Sequence, residues 1–253
     1  MNKYEIQAEE YFRSMNAEPE FKLVQEAMEQ LIAKYELADK NVLCIAPGSG
    51  IEEYWFYRHG CELTFVDIDQ YGSIEPCLKQ YAADAPSRTL TYYISDAAQF
   101  AAKAEQMYDA LYISGITNDE SRRRSILDKH SVWPANEKPY LDFVTALAGR
   151  NLKPGGLFVY QSYYGGVDAL YNKHYTGLLK KQLGEAGVRL LHYYVFNAAH
   201  SVSLTVGLKG SGREADDYMR RIKHRPELTL FHGRSELNRQ GIRKVYDRIE
   251  SGK

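Results

Sequence analysis

Between positions 41 and 69 the sequence reads NVLCIAPGSGIEEYWFYRHGCELTFVDID, and no other stretch narrows the fold as much. Val42 to Ile45 form a short apolar run, as expected of a parallel strand covered on both faces. Pro47, Gly48, Ser49 and Gly50 break that run. Glycines let backbone N–H groups approach a ligand where a Cβ would collide with it. A second apolar run, Leu63 to Val66, stops at Asp67. In a doubly wound sheet such a carboxylate lies at the carboxyl edge beside the glycine turn, where it can accept hydrogen bonds from both hydroxyls of a ribose. The pattern predicts a site for a nucleoside-containing cofactor.

Bulk properties exclude several alternatives. With 253 residues the chain can bury one large core, most simply a single α/β domain with additions at its ends. A formal net charge of −1 and a pI near 6.7 give no global attraction to nucleic acid or to an anionic membrane. No N-terminal apolar segment resembles a signal, and no apolar run is long enough to span a bilayer, so a soluble cytoplasmic protein is expected. Cys44, Cys61 and Cys77 are scattered without a CxxC pair, which argues against a disulfide framework and against a metal site. Tyrosine is in excess, 21 against 9 phenylalanines, which suits a half-wet pocket, an interface or core packing.

Along the chain, helices are expected over 3–14 and 19–37. In the second, Val24, Met28, Leu31 and Tyr35 form an apolar stripe able to cover the sheet or the site. Further helices are expected over 51–58, 75–83, 97–106, 139–148 and 168–186, with strands at 62–67, 89–94, 109–114 and 157–162. Leu152 to Gly156 reads as a tight turn before the fifth strand, and 188–197 with 201–209 as a hairpin. Five alternating β/α units and a hairpin specify a mostly parallel sheet with one antiparallel strand. The chain thus divides into an N-terminal helical lid or extension (1–37), a cofactor domain (38–210) with an irregular insertion (115–138), and a charged C-terminal extension (211–253). That tail is expected to hold one or two exposed helices and to serve as a surface or homodimer contact. Acids interleave its arginines and no aromatic platform accompanies them, so it does not read as a nucleic-acid site.

The turn fails the dinucleotide fingerprint, because Glu53 stands at the third glycine position, and no Walker A lysine follows it. Over residues 40–209 the ordered set of motifs resembles the class I S-adenosylmethionine-dependent methyltransferases. In that family the first strand ends in an acid followed by G-x-G-x-G. Cys44-Ile45-Ala46-Pro47-Gly48-Ser49-Gly50 keeps the last two glycines, has Ala46 for the first, and puts Cys44 at the acidic position. The resemblance implies a Rossmann-like seven-stranded, mostly parallel sheet with helices on both faces and a C-terminal antiparallel hairpin. It implies S-adenosylmethionine as cofactor, held by Ala46, Gly48, Gly50, Asp67, Ile68, Asp96, Ala97 and Ser114. Asp67 would take the ribose hydroxyls, Asp96 the adenine amino group, and Ser114 the methionine part. Asp67 and Asp96 can instead be helix N-caps. Glu52 and Glu53 are candidates to replace the missing acid at Cys44, although a first-turn role with the helix dipole is the simpler expectation.

Methyl transfer is an in-line displacement in which the protein chiefly aligns the reactants and keeps the site dry, so its catalytic residues leave a weak sequence signature. His130, in the irregular insertion, and Tyr163, after the fifth strand, are the candidates to accept a proton or orient an acceptor. Arg123 (within Arg122 to Arg124), Trp133 and Tyr164 are candidates to hold a small-molecule acceptor, an anionic one if the arginines clamp it. His192 and His200 read as structural. Two other functions fit the same fold. The first is an aminopropyl or aminocarboxypropyl transferase using the same sulfonium. The second is a non-catalytic binding or scaffold protein, which the degenerate Ala46 and Cys44 would allow.

Overall fold

The structure is a computed structural model and describes residues 19–48, 50, 52–68, 81, 83, 88–114, 144–162, 180–196, 203–229 and 231–233. Among the described residues there are eight strands: β1 (Asn41–Ile45), β2 (Glu62–Asp67), β3 (Leu90–Ile94), β4 (Tyr108–Ser114), β5 (Leu152–Ser162), β6 (Val188–Phe196), β7 (Ser203–Lys209) and β8 (Phe231–Gly233). They form one sheet in the order β3-β2-β1-β4-β5-β7-β6-β8. The first five pair in parallel, and β7 enters antiparallel between β5 and β6. Strand order therefore reverses between β1 and β4, the crevice where open α/β sheets bind ligands.

Alternation along the strands sends side chains into two cores. Val42, Cys44, Leu63, Phe65, Ala110, Tyr112, Leu157 and Val159 face one layer, made by α1 (Pro19–Lys34), α2 (Glu53–Arg58) and α4 (Gly212–Ile222). Leu43, Ile45, Val66, Leu111, Ile113, Phe158 and Tyr160 face the other, made by α3 (Ala97–Lys103) and the helical segments 144–151 and 180–185. Burying both faces explains why the central strands are unbroken apolar runs. The architecture is the expected Rossmann-like sheet with helices on both faces and a terminal antiparallel hairpin. Among the described residues no helix is long and apolar enough to cross a membrane.

Four local features differ from, or add to, the sequence expectation. The α1 stripe is buried at Met28, Leu31 and Tyr35, but the helix ends at Lys34 rather than 37. Glu36 adopts φ 55°, and the Leu37 N–H reaches back to the Ile32 carbonyl at 3.0 Å, a left-handed helix stop. The LKPGG stretch is the irregular beginning of β5 rather than a turn before it. A register shift separates Tyr108 from Ala110 on β4, and Gly155 sits at φ 77°. In the tail, α4 is not simply exposed, because Ala215, Tyr218 and Ile222 are buried against the core. Finally, β8 adds an eighth strand beyond the expected seven by pairing antiparallel with β6. Three residues carry too little pattern to announce a strand.

Candidate functional site

At the carboxyl end of β1 the chain enters the glycine turn in the left-handed region. Ala46, Gly48 and Gly50 have φ of 54°, 56° and 66°. For glycine this conformation is free, whereas for Ala46 it costs about 1 kcal/mol and has to be held in place. The hold is visible in the hydrogen bonds. Ala46 N–H donates to the Val66 carbonyl at 2.8 Å, and Gly50 N–H donates to the Pro47 carbonyl at 2.8 Å. Tyr54 N–H and the Tyr81 hydroxyl both donate to the Gly50 carbonyl. The Tyr81 ring is stacked on Tyr57 at 5.0 Å and tilted against Tyr54 at 5.2 Å. Part of the tyrosine excess is thus core packing, since Tyr35, Tyr57, Tyr81, Tyr108 and Tyr112 are all fully buried.

Asp67 ends β2 beside this turn, and its Oδ2 accepts from the Gly48 N–H at 3.0 Å. A second acid follows on the next strand. Ser95 N–H donates to the Asp67 carbonyl at 2.8 Å, which sets Asp96 one step further along the same edge. Asp96 is the N-cap of α3, its Oδ1 accepting from Ala98 N–H at 2.9 Å and Gln99 N–H at 3.0 Å. The cap uses one carboxylate oxygen and leaves the acid at the exposed sheet edge, with Ala97 opening the helix behind it. Ile68, just after Asp67, is exposed, as is Ile94 at the end of β3. A Cβ built on Gly48 meets no atom within 4 Å, so there is open space above the turn. Ser114 ends β4 opposite Gln161 of β5, on the far side of the reversal point.

Beneath the turn lies a polar cluster. Glu52 and Glu53 are both buried; Glu53 stands in the first turn of α2, as expected, whereas Glu52 precedes it. Glu52 is the N-cap of α2 by position but makes no side-chain cap bond. Instead its carboxylate accepts from the Tyr112 hydroxyl and from Gln161 Nε2, each at 3.0 Å, tying the helix start to β4 and β5. Glu53 is only 1% exposed, and its Oε1 has no hydrogen-bond partner. A buried carboxyl oxygen left unpaired costs about 1–3 kcal/mol. Burial first, then the negative charges of Glu52 and Asp67, raise the Glu53 pKa well above the ordinary carboxylate range. A sequence signal for this existed: Glu53, Phe56 and Tyr57 share the face of α2 that is buried.

The remaining candidates divide simply. His130, Tyr163, Arg123, Trp133 and Tyr164 lie outside the described residues, as do Arg122, Arg124, His200 and Cys77. His192 is structural: its Nδ1 meets the buried Tyr35 hydroxyl at 2.6 Å, and burial, followed by the Lys34 charge, lowers its pKa. Cys44 and Cys61 are buried, and the Cys61 thiol donates to the Leu37 carbonyl at 3.0 Å. Among the described residues no His/Cys/Asp/Glu group is arranged to hold a metal ion.

The fold has solved counterparts. An N-methyltransferase NodS from Bradyrhizobium japonicum WM9, in complex with S-adenosyl-L-homocysteine, superimposes with a TM-score of 0.54 at 12% identity, covering 78% of this chain and 91% of that one. Magnesium protoporphyrin IX methyltransferase from Synechocystis PCC 6803, with the same nucleoside bound, gives 0.52 at 13% identity over 75% and 82%. A 1,6-didemethyltoxoflavin-N1-methyltransferase from Burkholderia thailandensis, bound to 1,6-didemethyltoxoflavin and S-adenosylhomocysteine, gives 0.51 at 13% over 75% and 79%. No protein-family model matches the sequence, and no curated protein matches it. At these identities the likeness is one of fold: the chain shares the fold of these three methyltransferases.

Proposed function

We propose that this chain is an S-adenosylmethionine-dependent methyltransferase acting on a small-molecule acceptor. One observation carries the reading: the Asp67 carboxylate is hydrogen bonded to the Gly48 N–H, so ribose acceptor and glycine turn form a single structure at the reversal point of the sheet. The residues fit an adenosine-bearing group. Open space lies over Gly48, Asp67 offers acceptor capacity toward two hydroxyls, and Asp96 stands at the next strand end with one carboxylate oxygen outside its cap. The neighbours solved with S-adenosylhomocysteine share this fold.

When bound, the cofactor supplies an electrophilic methyl group on a sulfonium, reached by in-line displacement. The chain's own work is to bind and to align. Gly48 and Gly50 permit close backbone approach, Asp67 with Ile68 and Asp96 with Ala97 fix the nucleoside, and Ser114 borders the methionine end. His130 and Tyr163 are assigned to proton acceptance and orientation of the acceptor, and Arg123, Trp133 and Tyr164 to its binding. Isothermal calorimetry with S-adenosylhomocysteine tests the reading. The expected result is a dissociation constant of about 1 μM to tens of micromolar, a common range for small-molecule sites, with binding lost in Asp67→Ala. No heat from the unmodified protein would refute it. The product then identifies the transferred group: S-adenosylhomocysteine for methyl transfer, methylthioadenosine for aminopropyl or aminocarboxypropyl transfer.

A further inference from the structure

At the amino ends of the strands, opposite the glycine turn, lies a cavity of about 120 Å³. Its charged lining is Glu36 and Lys40 from the link between α1 and β1, Asp109 from β4, Lys153 from the start of β5 and Arg221 from α4. The two acids are engaged within the fold. Asp109 Oδ1 accepts from Lys153 Nζ at 2.8 Å, and its Oδ2 accepts from the Asn41 N–H at 3.0 Å. Glu36 Oε1 accepts from Arg225 Nη2 at 2.6 Å, and its Oε2 faces Arg221 Nε at 3.1 Å. Donors, by contrast, are left over. Lys40 is exposed and gives its ammonium to no described residue. Lys153 has N–H groups beyond the one on Asp109, and Arg221 has the Nη groups of its fork beyond the Nε on Glu36. Gly155, at φ 77°, has no atom within 4 Å of where a Cβ would stand, so the chain leaves room there. A lining with spent acceptors and spare donors is matched by a ligand that brings acceptors.

We propose that this cavity is a binding site for a small oxyanion, of phosphate or carboxylate type, held by Lys40, Lys153 and Arg221. The planar fork of Arg221 suits two oxygens of either group, and the ammonium groups act as point charges beside it. A single water fits in roughly a tenth of the volume, so an anion of a few heavy atoms has room. The ligand joins elements that are distant in the chain, since Lys40 and Lys153 stand at strand starts and Arg221 on α4. Occupancy therefore pins α4 to the strand ends, beside the contacts that Glu36 makes with Arg221 and Arg225. From Lys40 to Ala46 the chain runs the length of β1, roughly 20 Å at about 3.3 Å per residue. The site is thus separate from the glycine turn, and it holds whatever the turn binds.

Thermal melts in inorganic phosphate and in succinate, each against potassium chloride at matched ionic strength, test the site. At tenfold excess over its dissociation constant the anion should raise the melting temperature by about 3–6 °C and the rise should saturate, whereas chloride should not produce it. Amide hydrogen exchange should slow over residues 153–156 and 212–222 in the same titration. Lys40→Gln removes an ammonium that holds nothing in the fold, so it should melt like the unmodified protein without anion. It should bind the anion roughly tenfold more weakly, the loss of one hydrogen bond to a charged group. A larger shift with phosphate than with succinate identifies a phosphate ligand, and the reverse a carboxylate. Shifts no greater than that of chloride with both anions, or anion binding unchanged in Lys40→Gln, overturn the proposal. Competition between the anion and S-adenosylhomocysteine would put the anion in the nucleoside site and overturn it too. Failure of that nucleoside to bind at all counts against the methyltransferase reading alone.

Discussion

At the scale of single residues, position 48 separates what folding requires from what binding requires. Gly48 sits at φ 56° with nothing near a would-be Cβ. Gly48→Ala should therefore lose only about 1–2 kcal/mol of stability from left-handed strain. Its effect on nucleoside affinity should be much larger, because the methyl enters the space over the turn. Chemical denaturation and calorimetry on the same variant check both halves, and unchanged affinity would mean the ligand lies elsewhere. The turn and the acid at position 67 are legible in the sequence because glycine and a strand-terminal carboxylate are local signals. The burial of Glu52 and Glu53 is less so. A glutamate in a first helical turn ordinarily faces water and the helix dipole, and only the shared face with Phe56 and Tyr57 points the other way. The bonds from Tyr112 and Gln161 to Glu52 span 60 and 109 positions, beyond any local pattern.

Elements explain where sequence boundaries hold and where they slip. Strands β1, β2 and β4 are apolar runs bounded by breakers and match expectation closely, because burial on both faces leaves a continuous signal. At β5 the start slips, since LKPGG looks like a turn but pairs across the irregularity with Tyr108 of β4. Space there is tight: a Cβ on Gly156 would lie 2.9 Å from the Lys153 carbonyl oxygen and 3.0 Å from that of Asp109. Gly156→Ala should cost about 1–3 kcal/mol by overpacking against backbone that cannot retreat. The capping box of α4, in which Ser211 accepts from Glu214 N–H and Glu214 accepts from Ser211 N–H, is solvent-exposed, so Ser211→Ala should cost about 1 kcal/mol. Thermal melts of the two variants should rank in that order, and the reverse ranking would contradict the packing described at β5.

At the scale of the whole molecule, residues 34–36 are joined to residues 218–227 on one face of the sheet. Glu36, at the left-handed end of α1, receives Arg225 Nη2 at 2.6 Å and Arg221 Nε at 3.1 Å from the tail. Lys34 pairs with Glu227 at 2.9 Å, and the Tyr218 hydroxyl donates to the Tyr35 carbonyl at 2.8 Å. The hydrogen bond from Arg225, with the charge of Arg221, holds the Glu36 carboxyl below its ordinary value near 4.5. A depressed carboxyl contributes stability above its unfolded pKa, and that contribution fades as pH falls through the folded value. Stability should therefore drop below about pH 4.5 more steeply in the unmodified protein than in Glu36→Gln, as read by denaturant midpoints against pH. Parallel curves would show that the clasp carries no net charge energy. The charged character of this tail is plain in the sequence, but its partner Glu36 just past α1, 189 positions from Arg225, is not.

The account as a whole depends on one convergence, that of residues 46–50, Asp67 and Asp96 upon a single adenosine. A crystal structure with S-adenosylhomocysteine measures it most directly. Both ribose hydroxyls should lie at about 2.6–3.0 Å from the Asp67 carboxylate, ordinary distances for O–H donors to an anion, with the adenine beside Asp96 and the amino-acid end over Gly48 and Gly50. Nucleoside density away from the β1–β4 reversal, or a ribose out of reach of Asp67, would contradict it.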